Sequence, residues 1–172
     1  MSDTTNGQRS ATISVLVDNE AGVLARVIGL FSGRGYNIDS LTVAPVDADL
    51  SRSRITVVTR GTDLVIEQIK AQLGRLVPIH KIADLSADGP HVARELGLIK
   101  VIARGEPRVE ALRIADAFRA KIVDTTIESF VFELTGASEK IDAFIDLMRP
   151  LGTTEISRSG VAAIARGTRT IG

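Results

Sequence analysis

The order in which hydrophobic periodicities follow one another constrains this chain more than any other feature. Thr12-Ile13-Ser14-Val15-Leu16-Val17 is β-branched and partly alternating, the character of a half-buried strand. At Asp18-Asn19 it gives way to Val23, Leu24, Val27, Ile28 and Phe31, spaced as one face of a helix. Gly33 and Gly35 supply the left-handed conformation that ends such a helix. Strands are then predicted over Ile38–Val46 and Arg54–Thr59. A second helix starts at Gly61-Thr62-Asp63 with Val65, Ile69, Leu73 and Leu76 on one stripe, and a strand runs over Val77–Leu85. The order β-α-β-β-α-β is the ferredoxin-like arrangement, a four-stranded sheet with both helices on one face.

The same succession recurs after Ser86-Ala87-Asp88-Gly89-Pro90, a compact turn signal near the middle of the chain. A strand is predicted over Glu95–Ala103, and Pro107 suits a helix's first turn. Val109, Leu112, Ala115 and Phe118 form the stripe of that helix, and strands follow at Lys121–Thr126 and Ser129–Leu134. Ile141, Phe144, Ile145 and Met148 mark a last helix, stopped at Pro150, before a strand over Thr153–Arg158. The fold class is therefore α+β, two tandem ferredoxin-like βαββαβ domains. The expected boundaries are a flexible tail at 1–10, a first domain at 11–85, a linker at 86–94 and a second domain at 95–172. Each half would leave one sheet face uncovered, and domains of ~75 residues have marginal cores, so pairing between copies is expected.

Composition removes several function classes. The 172 residues carry 21 basic and 21 acidic side chains, so no net field draws in nucleic acid or an anionic membrane. Cysteine is absent, which excludes thiolate metal sites and a cysteine nucleophile. His80 and His91 lack metal-ligand spacing and read as surface residues. Ser32-Gly33-Arg34-Gly35 ends a helix where a dinucleotide-binding turn would begin one, and neither a P-loop nor a G-x-S-x-G turn occurs. An RNA-binding sheet needs exposed aromatics, but aromatics are 3% and Tyr36 sits at a helix exit. Arg158, Arg166 and Arg169 are at most a local basic patch. No apolar run approaches the ~18 residues of a membrane helix, and a cytoplasmic location is expected. No site for catalysis or a metal is read from these residues.

The turn between the first strand and helix carries what chemistry there is. One reading of Asp18, Asn19 and Glu20 is a helix cap and nothing more. The other starts from Gly22, whose missing Cβ lets a small carboxylate approach the free N–H groups and the positive end of the helix dipole. On that reading the strand–helix–strand crossover returns Asn37 to the neighbourhood of the turn, and two asparagines complete a free amino-acid site.

The run from Asn19 to Val27, with Gly35-Tyr36-Asn37-Ile38-Asp39-Ser40-Leu41-Thr42-Val43-Ala44, resembles the ACT domain of the acetolactate synthase small regulatory subunit. The likeness continues through Leu50–Val57, Glu67–Leu73, Glu95–Val101, Ile114–Asp124 and Arg158–Val161. It implies a regulatory partner of the large catalytic subunit, doing no chemistry itself, which raises that subunit's activity and imposes feedback inhibition by L-valine. Thiamine diphosphate, Mg²⁺ and FAD would belong to the large subunit. The resemblance also implies a homodimer whose interface holds valine through Asn19, Gly22, Val23 and Leu24 of the turn and helix, and through Asn37 and Ile38 across the interface. Backbone N–H groups at Gly22–Leu24 would take the carboxylate. Val23 and Ile38 would line the side-chain pocket, and each asparagine would either accept from the ammonium or donate to the carboxylate. The alternative is a free-standing amino-acid-sensing ACT protein with another target.

Overall fold

The computed structural model describes residues 7–171. The chain divides into two compact units, one of residues 1–92 with 161–172 and the other Ala93–Gly160. The expected tail at 1–10 lies partly outside the described residues, and its last two residues already belong to a strand. The expected second domain at 95–172 differs more, because its last stretch lies with the first unit.

In the first unit the elements are β1 (Arg9–Asp18), α1 (Val23–Gly33), β2 (Ser40–Pro45), β3 (Arg52–Gly61), α2 (Asp63–Leu73) and β4 (Ile79–Asp84). The sheet order is β2-β3-β1-β4, with β3 antiparallel to both β1 and β2. Alternation places Ala11, Ile13, Val15 and Val17 of β1 and Ile55 and Val57 of β3 on the helix face. There they pack with Val23, Val27 and Phe31 of α1 and Ile66, Ile69 and Leu73 of α2. Leu24 and Ile28 of the predicted α1 stripe stay exposed, so the buried face is narrower than the apolar one. Thr62 caps α2, its hydroxyl accepting from Val65 N–H at 3.3 Å.

The opposite sheet face is not left bare in the middle: Ser14, Leu16 and Thr56, which alternate away from the helices, are all buried. The C-terminal segment lies on this face. Val161 N–H donates to Ser40 Oγ at 2.7 Å, and Thr42 Oγ1 donates to Val161 O at 3.0 Å. Arg166 N–H continues the attachment to Pro90 O at 2.9 Å. The short strand β9 (Ala162–Ala165) within this segment is a feature that periodicity had not marked.

The second unit contains most of β5 (His91–Ile102), then α3 (Glu106–Phe118), β6 (Lys121–Thr125), β7 (Ser129–Gly136), α4 (Ser138–Gly152) and β8 (Thr153–Arg158), ordered β6-β7-β5-β8. His91–Arg94, expected as linker, is thus strand. Ile99, Val101, Phe130, Phe132 and Leu134 face Ala111 and Ala115 of α3 and Ile141, Phe144, Ile145 and Met148 of α4. The stripe predicted for α3 is corrected: Ala111, Ile114, Ala115 and Phe118 turn inward, while Val109 and Leu112 stay exposed. Spacing of three drifts on a 3.6-residue turn, so Val109 and Phe118 cannot share a face. Nor does α4 stop at Pro150. It runs on to Gly152, since a proline this close to the end removes a single helical bond.

Each unit buries a carboxylate under an arginine. Asp84, fully buried, accepts from Arg9 Nη2 at 2.7 Å, and Arg9 Nε reaches Asp63 at 2.7 Å. Glu95, also buried, accepts from Arg158 Nε at 2.5 Å and Ser138 Oγ at 2.6 Å, while Arg158 Nη1 reaches Asp142 at 2.5 Å. The guanidinium pKa of Arg158 is raised, chiefly by its hydrogen bond to Glu95. Arg158 is therefore a structural clamp. Arg169 donates to Asp88 O, so the expected basic patch loses two of its three members to structure.

Candidate functional site

At the end of β1 the chain turns through Asn19–Gly22 into α1. Gly22 is left-handed at φ 87°, with open space where a Cβ would stand, and no side chain caps the helix. The expected capping by Asp18, Asn19 and Glu20 is therefore corrected, because each has another partner. Asp18 Oδ1 meets His80 Nε2 at 2.5 Å, and Glu20 pairs with Arg26 at 3.6 Å. Asn19 Nδ2 donates to Leu50 O at 2.8 Å, and its backbone N–H donates to Ser51 O at 2.9 Å. Of the first-turn donors, Val23 N–H makes only a long 3.5 Å contact to Glu20 O. No acidic residue occupies the first turn, so nothing there neutralises the positive helix end.

Gly22 and Leu24 are exposed. Val23 is not: its side chain lies in the core, so what it offers at the surface is backbone. The expectation that the Val23 side chain lines a pocket is corrected accordingly.

Asn37 and Ile38 sit just before β2. Asn37 Nδ2 donates to Asp39 Oδ1, Asp39 Oδ2 accepts from Arg60 Nε at 2.9 Å, and Asn37 O accepts from Thr59 Oγ1 at 2.5 Å. Ile38 is half-buried against the first core. The structure does not return Asn37 to the first turn within one protomer. Ser40 pairs Val58, Val58 pairs Thr12, and Asp18 pairs Arg52. The start of β2 is thus level with Thr12, six residues or about 20 Å along the sheet from Asp18. The cause is topological, since a helix between two parallel strands carries the chain back to the end where the first strand began.

Within one protomer the two groups of candidate residues therefore lie apart. Both asparagines have turned their NH₂ groups toward oxygens of their own chain, which leaves Oδ1 as the atom of each side chain not used in these contacts. One surface depression in the first unit is lined by Lys81, Ile82, Asp88 and Arg169, and one in the second by Phe118, Arg119 and Lys140. Among the described residues no three His, Asp or Glu side chains group as metal ligands. Sequence reasoning missed the contacts of the β2–β3 hairpin with Asn19. Nothing in the spacing of Asp47, Asp49 and Ser51 signals that target.

Residues 13–81 match the family described as "AHAS small subunit-like ACT domain", and residues 94–167 match "Small subunit of acetolactate synthase". The probable acetolactate synthase small subunit of Archaeoglobus fulgidus is 47% identical over 158 residues, 92% of this chain and 98% of that one. The acetolactate synthase isozyme 3 small subunit of Escherichia coli is 46% identical, covering 91% of this chain and 96% of its own. The crystal structure of the small subunit from Thermotoga maritima superposes with a TM-score of 0.83 at 37% identity, over 94% of this chain and 99% of that one. With both halves matched and 94% of the chain superposed, the chain belongs to the acetolactate synthase small regulatory subunit family, its first unit being an ACT domain.

Proposed function

We propose that this chain, itself without catalytic activity, binds the large catalytic subunit of acetolactate synthase, raises its activity and makes it sensitive to L-valine. The observation that carries the effector site is the pair of half-sites. One holds an uncapped helix N-terminus at Gly22 beside the Oδ1 of Asn19; the other holds the Oδ1 of Asn37 beside Ile38. Their separation within a protomer calls for a second copy, with Asn37 and Ile38 of one chain facing Asn19, Gly22, Val23 and Leu24 of the other. Gly22–Leu24 N–H groups then take the carboxylate, the two Oδ1 atoms take the ammonium, and Leu24 and Ile38 meet the isopropyl group. Thiamine diphosphate, Mg²⁺ and FAD belong to the large subunit, which performs the condensation of 2-keto acids.

Magnitudes suit a metabolite sensor. Charge-assisted hydrogen bonds contribute about 1.5–3 kcal/mol each, and burial of a valine side chain contributes about 1.5–3 kcal/mol. Set against lost freedom on association, the net affinity falls in the ~micromolar to millimolar range. The family match over 94–167 favours this reading over a free-standing sensor, which has no need of the second unit.

Calorimetric titration with L-valine tests it, with leucine, isoleucine and alanine as comparisons. Saturable valine binding at one site per interface is expected, and Asn37→Ala should abolish feedback inhibition of the reconstituted enzyme while leaving its activation. Absence of valine binding, both to the chain and to its complex with the large subunit, would remove the proposal.

A further inference from the structure

We infer that Leu50, in the β2–β3 hairpin, is a positioning residue for effector recognition. Its left-handed backbone aims a carbonyl that holds the Asn19 amide with Oδ1 outward, so that the site selects an ammonium group. This rests on the effector site proposed above.

The hairpin has the internal bonds for such a task. Leu50 N–H closes a turn on Asp47 O at 3.0 Å. Arg52 Nε and Ser51 Oγ donate to Asp47 Oδ2 at 2.5 and 3.3 Å, and Ser51 N–H donates to Asp49 Oδ1 at 3.1 Å. Hydrogen bonding from the Ser51 side chain and backbone N–H holds the Asp49 carboxyl below its ordinary pKa. A residue that follows such a turn in the left-handed region is usually glycine. Leucine stands here at φ 57°, the residue 60% exposed. Burial of that side chain therefore does not account for the conformation. What the conformation does is turn a carbonyl onto Asn19 Nδ2, while the next carbonyl, of Ser51, takes the Asn19 backbone N–H.

Asn19 is thus gripped at two points by one hairpin. A carbonyl only accepts, so the amide atom facing Leu50 is the NH₂, and Oδ1 is the atom left for a ligand. That oxygen accepts from an ammonium and repels a carboxylate. If Leu50 O lets go, the amide rotates to offer either edge, and an amino acid is no longer distinguished from the same acid lacking the amine.

The test is calorimetry on the full chain with L-valine and with isovalerate, which keeps the carbon skeleton and carboxylate but has no amine. Leu50→Gly keeps the left-handed turn, whereas Leu50→Val, β-branched, resists it. Wild type and Leu50→Gly are expected to discriminate the two ligands equally. Leu50→Val should lose about tenfold or more in valine affinity with isovalerate unchanged, a change of the size one charge-assisted hydrogen bond sets. A wild-type ratio in Leu50→Val overturns the inference while leaving the site itself standing; failure of wild type to bind valine, both alone and in complex with the large subunit, overturns both. Should Leu50→Val not fold, the wild-type Asn19 Nδ2 protons decide, assigned by their loss in Asn19→Ala. Slow exchange with water that persists when valine is added is expected, and rapid exchange in the free chain overturns the inference.

Discussion

The two units share one order of elements but differ at the place where a ligand would sit. Both enter the helix after their first strand through a positive-φ glycine with no side-chain cap, Gly22 at φ 87° and Gly105 at φ 61°. Beyond that glycine they diverge. The first turn of α1 holds no acid and no proline, whereas α3 begins Glu106-Pro107. Pro107 removes one outward N–H and Glu106 places a negative charge against the helix end, so the second unit already satisfies what the first leaves open. The sheet faces away from the helices differ too. Ser14 and Leu16 of β1 are buried there, while Leu98 and Ile102 of β5 stay exposed, 37% and 49%. On the proposed function a repeated fold serves once as a site and once as a scaffold, and the difference lies in a few side chains rather than in the order of the elements.

The largest effect that separates the units is expected at the ends of their second helices. Gly74 ends α2 in a right-handed conformation, and a Cβ there would make ordinary contacts of 3.5 Å or more. Gly152 ends α4 at φ 118°, where a Cβ would stand 2.1 Å from Ile102 O. Gly152→Ala should cost about 3 kcal/mol or more, because backbone rather than a flexible side chain has to move. Gly74→Ala should stabilise by about 0.4–1 kcal/mol through the unfolded chain. Denaturant melts of the two variants decide, and equal midpoints would break the contrast.

The buried carboxylates give a smaller effect. Burial alone would raise the pKa of Glu95, but the bonds from Arg158 and Ser138 outweigh it and the net shift is downward from 4.5. A carboxylate with a depressed folded pKa contributes stability above its unfolded value and loses it as pH falls through the folded one. The stability of the second unit should therefore decline as pH drops below about 4.5, and Glu95→Gln should flatten that slope while costing about 1.5–3 kcal/mol at neutral pH. A melt series from pH 7 to about 3 checks this, and a slope unchanged in Glu95→Gln would move the pH response to other groups.

Much of the fold was legible because periodicity records which face is buried. The β-α-β-β-α-β order in both halves and the α4 stripe at Ile141, Phe144, Ile145 and Met148 were of this kind. Other features depend on distant partners. Nothing in Val161–Ala165 marks it as belonging to the first unit, because its attachment is by backbone atoms to Ser40 and Thr42, which any sequence supplies. The α3 stripe was misplaced by counting threes. At the site, Asn19, Gly22 and Asn37 stood out by type, but their separation by the length of a sheet is a property of strand direction. The role of Leu50 was invisible, since it acts through a carbonyl that every residue carries.

The finest test of the comparison sets Gly22→Ala against Gly105→Ala. Both glycines have positive φ and open space around the Cβ position, so each substitution should cost about 1–3 kcal/mol of backbone strain and no clash. Stability therefore does not tell them apart, and ligand binding should. A methyl group on Gly22 stands where the proposed carboxylate approaches the helix, and the strain it adds draws the turn away from the conformation that exposes the first N–H groups. Gly105→Ala changes a turn that Glu106 and Pro107 already close to an anion. Valine titrations on the two variants, compared at matched folded fractions, should show weakened binding only in Gly22→Ala. Equal loss in both would mean that the effector senses stability of the chain as a whole, and the distinction between a binding unit and a scaffold unit would fall.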